Sequence, residues 1–508
     1  MFKKVLVANR GEIAVRVIRA CRDMGIKTVL IHSAADKESM AALLADETYN
    51  MQDTKCYLDL PKIMEAAKTV GADAIHPGYG FLSENAGFPK ACREAGITFI
   101  GPSEDVIKLM GDKAKARELA IKAGVPVVPG SPGPITSVEE ATNYAKKIGY
   151  PVILKAAAGG GGRGMRVVNS AREMENALEQ AKAEALLAFK NDTMLLEKYL
   201  LEPRHVEIQL MADMDGNVLY LPERDCSVQR RHQKLVEESP SPAVKPVLRK
   251  KIGSMAAKLA KEAGYHTVGT VEFLLDKKGA FYFMEMNTRI QVEHPVTEMV
   301  TGIDLVKEQL KLAAGLPLTL RQKDIQCLGW AIECRINAED PAKDFQPRPG
   351  RIEHFEPPGG PGVRVEVGVY QGWTIPPLYD SLLAKLIVWG IDRDEACRRM
   401  DHALAEFKIK GVPTTIPFHR AVMTNEFFRR GEVYTNFLET HMPNFGANMP
   451  KSVEVAADES DEEVVAAIAG AIAMLAQAQG SNYRIVGITP AASNWKLINR
   501  QNAVLSRI

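Results

Sequence analysis

With 508 residues the chain is long enough for about three domains at ~150 residues each, and its 64 basic against 63 acidic side chains leave a formal charge of +1. That balance excludes a whole-chain field for nucleic acid or an anionic membrane, so any anionic ligand must be held by a local site. Seven cysteines, odd in number and without a C-x-x-C pair, argue against a disulfide framework or zinc cage and for a reducing cytosol. The apolar run of the opening MFKKVLVANRGE stops at Ala8, and the longest apolar run, Val464 to Ala476, falls short of the ~20 residues that span a bilayer, so a soluble, cytoplasmic protein is expected.

From Lys3 to about Gly101, short β-branched runs (VLVA, TVLIHS, AIHP, TFIGP) alternate with helical stretches such as Glu12 to Met24, the pattern of a parallel α/β sheet. The first strand-to-helix turn, Asn9-Arg10-Gly11-Glu12, has one glycine, so a Rossmann-like layer is expected without the G-x-G-x-x-G fingerprint of NAD binding. A second unit starts near Gly111-Asp112-Lys113. In it, Tyr150 to Val168 carries Lys155 at the end of a strand-like run, then Gly159, Gly160, Gly161, Gly162, Gly164 and Met165. A β-like run follows where a dinucleotide site would open a helix, and Met165 stands where a Walker loop needs lysine. What remains is a glycine hairpin whose bare N–H groups can close over phosphates, or a mobile surface hairpin.

Arg224 to Lys234 carries four basic residues; with no stacking aromatics beside them, a nucleic-acid patch is not expected. Further on, Thr267–Asp276 and Ala280–Asn287 flank the turn Lys277-Lys-Gly, a hairpin signature. With a Lys277-Lys278 loop, Glu272 lies opposite Phe283 and Glu285 sits diagonally on the same face, within reach of a shared hard cation. If the chain stays extended, Glu285, Asn287, Arg289, Gln291 and Glu293 line one wall; a solvated strand face would alternate in the same way. Oxygen ligands without a histidine pair suit Mg²⁺ on nucleotide phosphates better than zinc.

A third unit, from about 331, is marked by the breakers Gln346-Pro-Arg-Pro-Gly and Pro357-Pro-Gly-Gly-Pro-Gly. The strand-like run Trp330-Ala-Ile-Glu-Cys-Arg335-Ile places a permanent cation in apolar surroundings, for a ligand or for an ion pair with Glu333 on the same face. The last sixty residues turn acidic at Asp458–Glu463, where Ser460 and Glu463 form a capping box before an Ala/Ile-rich helix, and end polar around Trp495.

Glu285-Met-Asn-Thr-Arg-Ile-Gln-Val-Glu-His-Pro-Val-Thr-Glu298 resembles the signature of the ATP-grasp domain of the biotin-dependent carboxylases. Ala8–Ala14, His76–Asn85, Gly111–Lys113, the glycine hairpin and Glu223–Lys234 agree with that family in order. The resemblance covers about residues 1 to 446. It implies an α/β and α+β multidomain fold: a Rossmann-like domain (1–111), an ATP-grasp domain (112–330) with a glycine-rich lid at about 130–200, an α/β C-terminal domain (331–446) and an extension (447–508) that could dock a partner. It further implies that Lys113, Lys155 and the hairpin hold ATP phosphates. Glu197, Lys198, Tyr199 and Leu200 border the adenine, and His205, Gln229 and His232 belong to the same pocket. Glu272, Glu285 and Asn287 would hold Mg²⁺ or Mn²⁺. Lys234, Arg289, Gln291 and the Val292 backbone would hold bicarbonate, with Glu293 as base and Arg335 facing biotin.

The activity so implied is that of an ATP-dependent C–N ligase: carboxylation of biotin via carboxyphosphate, the first half-reaction of an acyl-CoA or pyruvate carboxylase. No Ala-Met-Lys-Met-like biotinylation site and no carboxyltransferase domain are recognisable, so biotin is expected on a separate carrier protein, with carboxyltransferase subunits as partners and a homodimer as the assembly. Two rivals stand beside this reading, another bicarbonate-activating ATP-grasp ligase of the carbamoyl-phosphate-forming kind and an inactive scaffold subunit. The duplicated chain of the first is absent, and retention of the charged residues argues against the second.

Overall fold

The structure, a computed structural model, describes residues 1–157, 164–443 and 445–446. The expected β-branched runs form Lys4–Val7 (β1), Lys27–Ser33 (β2), Ala74–His76 (β4) and Thr98–Phe99 (β5), joined by Glu47–Gln52 (β3) in a five-stranded sheet of order β3-β2-β1-β4-β5. All its pairs are parallel, the Rossmann-like winding. β3 is an edge strand whose residues are mostly exposed, so it lacks the apolar signal that marks the other four. At the end of β1, Asn9 Nδ2 donates to the carbonyls of Pro77 and Tyr79 at 2.6 and 2.8 Å, tying the strand end to the 77–79 loop. A Cβ on Gly78 (φ +61°) would stand 2.7 Å from that nitrogen, so this close approach requires glycine.

Val152–Ala156 (β6), Met165–Val168 (β7) and Met194–Lys198 (β8) form a separate antiparallel sheet of order β7-β6-β8. It has a core of its own, in which Val152, Leu154, Val168 and Leu196 pack on Ala181 and Ala185 of the helix Met174–Phe189. These apolar contacts close on themselves, apart from the cores of the other sheets.

The remaining strands are Arg204–Ala212 (β9), Val218–Tyr220 (β10), Arg224–Arg230 (β11), Gln233–Ser239 (β12), Thr267–Leu275 (β13), Phe281–Asn287 (β14) and Trp330–Asn337 (β15). Two small ribbons follow, Glu339–Asp340 (β16) with Gln346–Pro347 (β17) and His354–Glu356 (β18) with Lys408–Lys410 (β21); Val363–Val367 (β19) and Leu382–Gly390 (β20) complete the set. One sheet runs β14-β13-β9-β11-β12-β15-β20-β19, with β10 on β9, and is continuous across residue 330. Its period of two separates two buried faces. Val206, Ile208 and Phe273 pack on Ile252 and Ala256 of the helix Pro246–Glu262, and Ile332, Leu386 and Val388 pack on Ala396 and Met400 of the helix Arg393–Glu406. The other face carries Glu207, Arg224, Glu237, Glu333 and Lys385, all at 0% exposure. Burying so many charges is tolerable only if they neutralise one another or a ligand.

The β13–β14 register departs from the expected one. Pairing near the turn runs Leu275↔Phe281, Leu274↔Tyr282 and Phe273↔Phe283, then shifts so that Glu272 faces Glu285 directly. The loop is the three-residue Lys277-Lys278-Gly279, which by itself would put Met284 opposite Glu272; a bulge passes over Met284, leaves it exposed, and restores the two acids to one face. The extended wall beyond Asn287 is also corrected. The strand ends at Asn287, the chain turns through Thr288–Val292, and Glu293 caps the helix His294–Thr301 with φ −81° and ψ 9°. The cause is tertiary: the Thr288 N–H donates to Glu84 Oε1 at 3.0 Å, which draws the chain toward the 76–85 loop. Among the described residues no helix is long and apolar enough to cross a membrane.

Candidate active site

Sheet order brings four charged residues into one row: Arg224 on β11 pairs with Glu207 on β9, Glu207 with Glu272 on β13, and Glu272 with Glu285 on β14. Lys234 on β12 reaches over the row. Its Nζ lies 2.6 Å from Glu207 Oε2, 2.9 Å from Glu272 Oε1 and 2.6 Å from Glu293 Oε1, so the three ammonium donors meet three carboxylates. Glu272 Oε1 also accepts from Asn287 Nδ2 at 2.9 Å and Gln291 Nε2 at 2.8 Å. Burial would raise the Glu272 carboxyl, but Lys234 and His205 hold it well below the usual carboxylate range. Across the strand pair the balance reverses: burial and the Glu272 charge raise Glu285, with Lys113 opposing them.

The 288–293 turn gathers the other residues of the signature around this row. Arg289 Nη2 donates to Asn287 Oδ1 at 2.8 Å and its Nε to Glu84 Oε2 at 3.0 Å. Glu293 is shared between two cations, Lys234 on Oε1 and Arg335 Nη2 on Oε2 at 3.0 Å. Burial raises its carboxyl, yet Lys234 and Arg335 outweigh burial and neighbouring Glu207 and keep it ionised. Arg335 Nε donates to Glu237 Oε1 at 2.6 Å. The ion pair with Glu333 considered from sequence is therefore replaced by Glu237 and Glu293: β15 pairs with β12 in a register that puts Glu237 beside Glu333, and neither Glu333 oxygen has a hydrogen-bond partner.

The nucleotide candidates are more dispersed. Lys113 opens the helix Lys113–Lys122, whose cap Asp112 accepts the N–H groups of Ala114 and Lys115 at 3.1 and 3.2 Å. Lys155 pairs with Met165 across β6 and β7, and its Nζ is 2.5 Å from Glu197 Oε2. Lys198 instead donates to the carbonyls of Gly149 and Tyr150, at 2.9 Å each, and Tyr199 and Leu200 are half-buried. Gly164 has φ +68°, and a Cβ there would come 2.9 Å from that of Ala156; Gly159, Gly160, Gly161 and Gly162 lie outside the described residues. His205 and Gln229 are brought into the buried row, Nδ1 to Nε2 at 2.9 Å, with His205 Nε2 3.0 Å from Glu272 Oε2. His232 is not: it is exposed in the two-residue turn Arg231–His232, where both φ are positive.

Glu84, Glu207, Arg224 and Glu237 join the site without having been singled out in the sequence. Arg224 spends all five N–H donors inside the fold, on Glu207, on Gln209 (2.8 Å) and Thr297 (3.0 Å), and on Thr270 (3.1 Å) and Gln291 (2.6 Å). For Glu207 the available signal was its place opposite Glu272 in a wholly buried strand, which only the sheet order reveals. For cation binding, Glu272, Glu285 and Asn287 offer hard oxygen donors, and two acids held face to face, one of them with a raised pKa, fit a divalent ion that relieves their repulsion.

Burial lowers the His205 imidazole, but Glu272 and Glu207 together outweigh it and the group rises from 6.5 to about 9. Between those values the folded chain holds a proton that the unfolded chain has lost, so this contribution is full below 6.5 and disappears as pH rises through 9. In metal-free buffer the Tm is expected to fall over that window, and to fall less steeply for His205→Gln. Equal slopes in thermal melts of the two proteins would contradict a protonated His205.

The chain matches "Biotin carboxylase, N-terminal domain" over residues 1–107, "Carbamoyl-phosphate synthase L chain, ATP binding domain" over 112–321 and "Biotin carboxylase C-terminal domain" over 333–440. It is 53% identical to a pyruvate carboxylase subunit of Methanothermobacter thermautotrophicus over 468 residues, 92% of this chain and 94% of that protein. With biotin carboxylase 1 of Bacillus subtilis it shares 55% identity over 445 residues, 87% of this chain and 99% of the other. The biotin carboxylase domain dimer of Hydrogenobacter thermophilus 2-oxoglutarate carboxylase, solved with MgADP, ADP and bicarbonate, superposes with a TM-score of 0.83 at 53% identity, covering 88% of this chain and 99% of that one. Three consecutive domain matches in one order, on a fold that gathers buried acids, lysine and arginine into one cleft, leave one assignment: the chain belongs to the biotin carboxylase family, the ATP-grasp enzymes that carboxylate biotin with ATP and bicarbonate.

Proposed function

We propose that this cleft carries out the bicarbonate and biotin steps with the residues the signature marks. Lys113, Lys155 and the segment Gly159 to Met165 cradle the ATP phosphates, and Glu197 to Leu200 with His205, Gln229 and His232 surround the rest of the nucleotide. Glu272, Glu285 and Asn287 would hold Mg²⁺ or Mn²⁺, which when bound spreads the charge on the phosphoryl oxygens. Lys234, Arg289, Gln291 and the Val292 N–H orient bicarbonate. Glu293 takes its proton, the freed oxygen attacks the γ-phosphorus, and the bond to the bridging oxygen breaks with its electron pair leaving on ADP. The resulting carboxyphosphate splits at its C–O bond into CO₂ and phosphate; phosphate takes the ureido N–H proton of biotin, and the nitrogen adds to CO₂. Arg335 faces the ureido oxygen, where negative charge develops.

The observation that carries this reading is Glu293, shared between Lys234 at 2.6 Å and Arg335 at 3.0 Å, which puts an ionised base between the proposed bicarbonate and biotin positions. The purified chain with Mg²⁺ is expected to hydrolyse ATP only when bicarbonate is present, and faster when free biotin is added. A folded preparation that shows neither dependence would overturn the reading.

In this reading, domains at 1–111, 112–330 (lid 130–200) and 331–446 act in a cytoplasmic homodimer. Biotin arrives on a biotin carboxyl carrier protein, and carboxyltransferase subunits choose the acyl-CoA or 2-oxo acid acceptor. The extension 447–508, outside the described residues, is the proposed docking segment.

A further inference from the structure

Beside Arg335 lies a second buried charged group to which the reaction as described gives no part. Lys385 on β20 pairs with Arg335 on β15 and has 0% exposure. Its Nζ donates to the carbonyl oxygen of Val292 at 2.7 Å and lies 3.2 Å from Glu12 Oε1. Glu12, in the first helix of the N-terminal layer, also accepts the Tyr79 hydroxyl. A fully desolvated ammonium is costly, and a chain that needed only packing here would place an apolar side chain on the strand. The Val292 carbonyl belongs to the peptide that joins Val292 to Glu293, so whatever fixes that oxygen fixes the backbone from which the Glu293 carboxylate projects.

We infer that Lys385 is a positioning residue for the bicarbonate step: its ammonium, steadied by Glu12, clamps the Val292–Glu293 peptide and so sets the Val292 N–H and the Glu293 carboxylate at their working separation. The inference rests on the roles proposed above for those two groups. The clamp draws on three parts of the chain, Glu12 near the N terminus, the 288–293 turn and strand β20, so the seating of the N-terminal layer and the alignment of the base are mechanically joined. Glu333 shares this buried face but neither of its oxygens has a hydrogen-bond partner, whereas Glu12 Oε1 lies 3.2 Å from the Lys385 Nζ; Glu12 is therefore the counter-charge that the clamp uses.

The test is Lys385→Met in the full chain, with Lys385→Met/Glu12→Gln as a second variant that removes the uncompensated carboxylate. Bicarbonate saturation of ATP hydrolysis, nucleotide affinity by titration with MgATP, and Tm are measured for both and for the parent. The expected result is a fall of at least tenfold in kcat/KM for bicarbonate with nucleotide affinity changed by less than twofold. Unchanged bicarbonate kinetics, equal losses toward bicarbonate and MgATP, or failure of both variants to fold would each overturn the inference, the last because Lys385 would then serve the fold alone. A parent protein without bicarbonate-dependent hydrolysis would instead remove the reading on which the inference stands, so the two failures are distinguishable.

Discussion

Glu293→Gln is expected to lower bicarbonate-dependent ATP hydrolysis by about 10²–10⁴-fold, the range that a positioned general base contributes, while nucleotide affinity stays near that of the parent. The carboxylate is buried at 2% exposure and answers two cations with its two oxygens. An amide of the same shape offers one acceptor and one donor, so it can satisfy Lys234 or Arg335 but presents N–H to the other. It also loses the charge proposed to receive the bicarbonate proton. Some loss of stability accompanies the change, because Lys234 keeps its two remaining carboxylates, Glu207 and Glu272, whereas Arg335 falls back on Glu237 alone. Rates over a bicarbonate titration, measured on protein shown by melting to be folded, decide the matter. Activity within threefold of the parent would place the base elsewhere.

How much of this site could be read beforehand depends on what holds each residue. Glu272 and Glu285 were legible as a pair on one face because alternation within two apolar strands is a local signal. Their register was not, since the bulge at Met284 changes the pairing without changing the pattern of residue types. The four apolar strands of the N-terminal sheet were legible for the same reason, and edge strand β3, polar on most of its length, was not. The turn after Asn287 depends on Glu84, 204 residues away in sequence, and no local rule contains that contact. Glu207 reads alone as the polar member of an alternating strand; only the order β13-β9-β11 turns it into the middle of a row between Glu272 and Arg224. The Glu333 alternative for Arg335 fails on the same ground. Glu333 shares its strand and face, but the neighbouring strand supplies Glu237, whose oxygen the guanidinium reaches first.

Arg335→Ala is expected to abolish the stimulation of ATP hydrolysis by free biotin and the carboxylation of biotin, with MgATP binding largely retained. The guanidinium is the cation nearest the outer oxygen of Glu293, and its pKa, lowered by burial but raised more by Glu237 and Glu293, leaves it charged at any working pH. Its loss takes away the charge proposed to face the ureido oxygen, and it also leaves Glu237 and Glu293 buried with less compensation, at a cost of about 3–5 kcal/mol where one partner of a buried pair is removed. Arg335→Lys separates the two effects. A lysine keeps the charge, and with it most of the stability, but it cannot span Glu237 and Glu293 with a rigid fork. Losing one charge-assisted bond worth about 1.5–3 kcal/mol should lower the biotin-dependent rate by roughly 10- to 150-fold. Nucleotide affinity is the internal control, because the lysines assigned to the phosphates, Lys113 and Lys155, lie on a helix and a strand that bear no part of the Arg335 pairs. Parallel loss of biotin dependence and nucleotide affinity in a folded Arg335→Lys protein would show that the guanidinium holds the cleft together and does not face biotin.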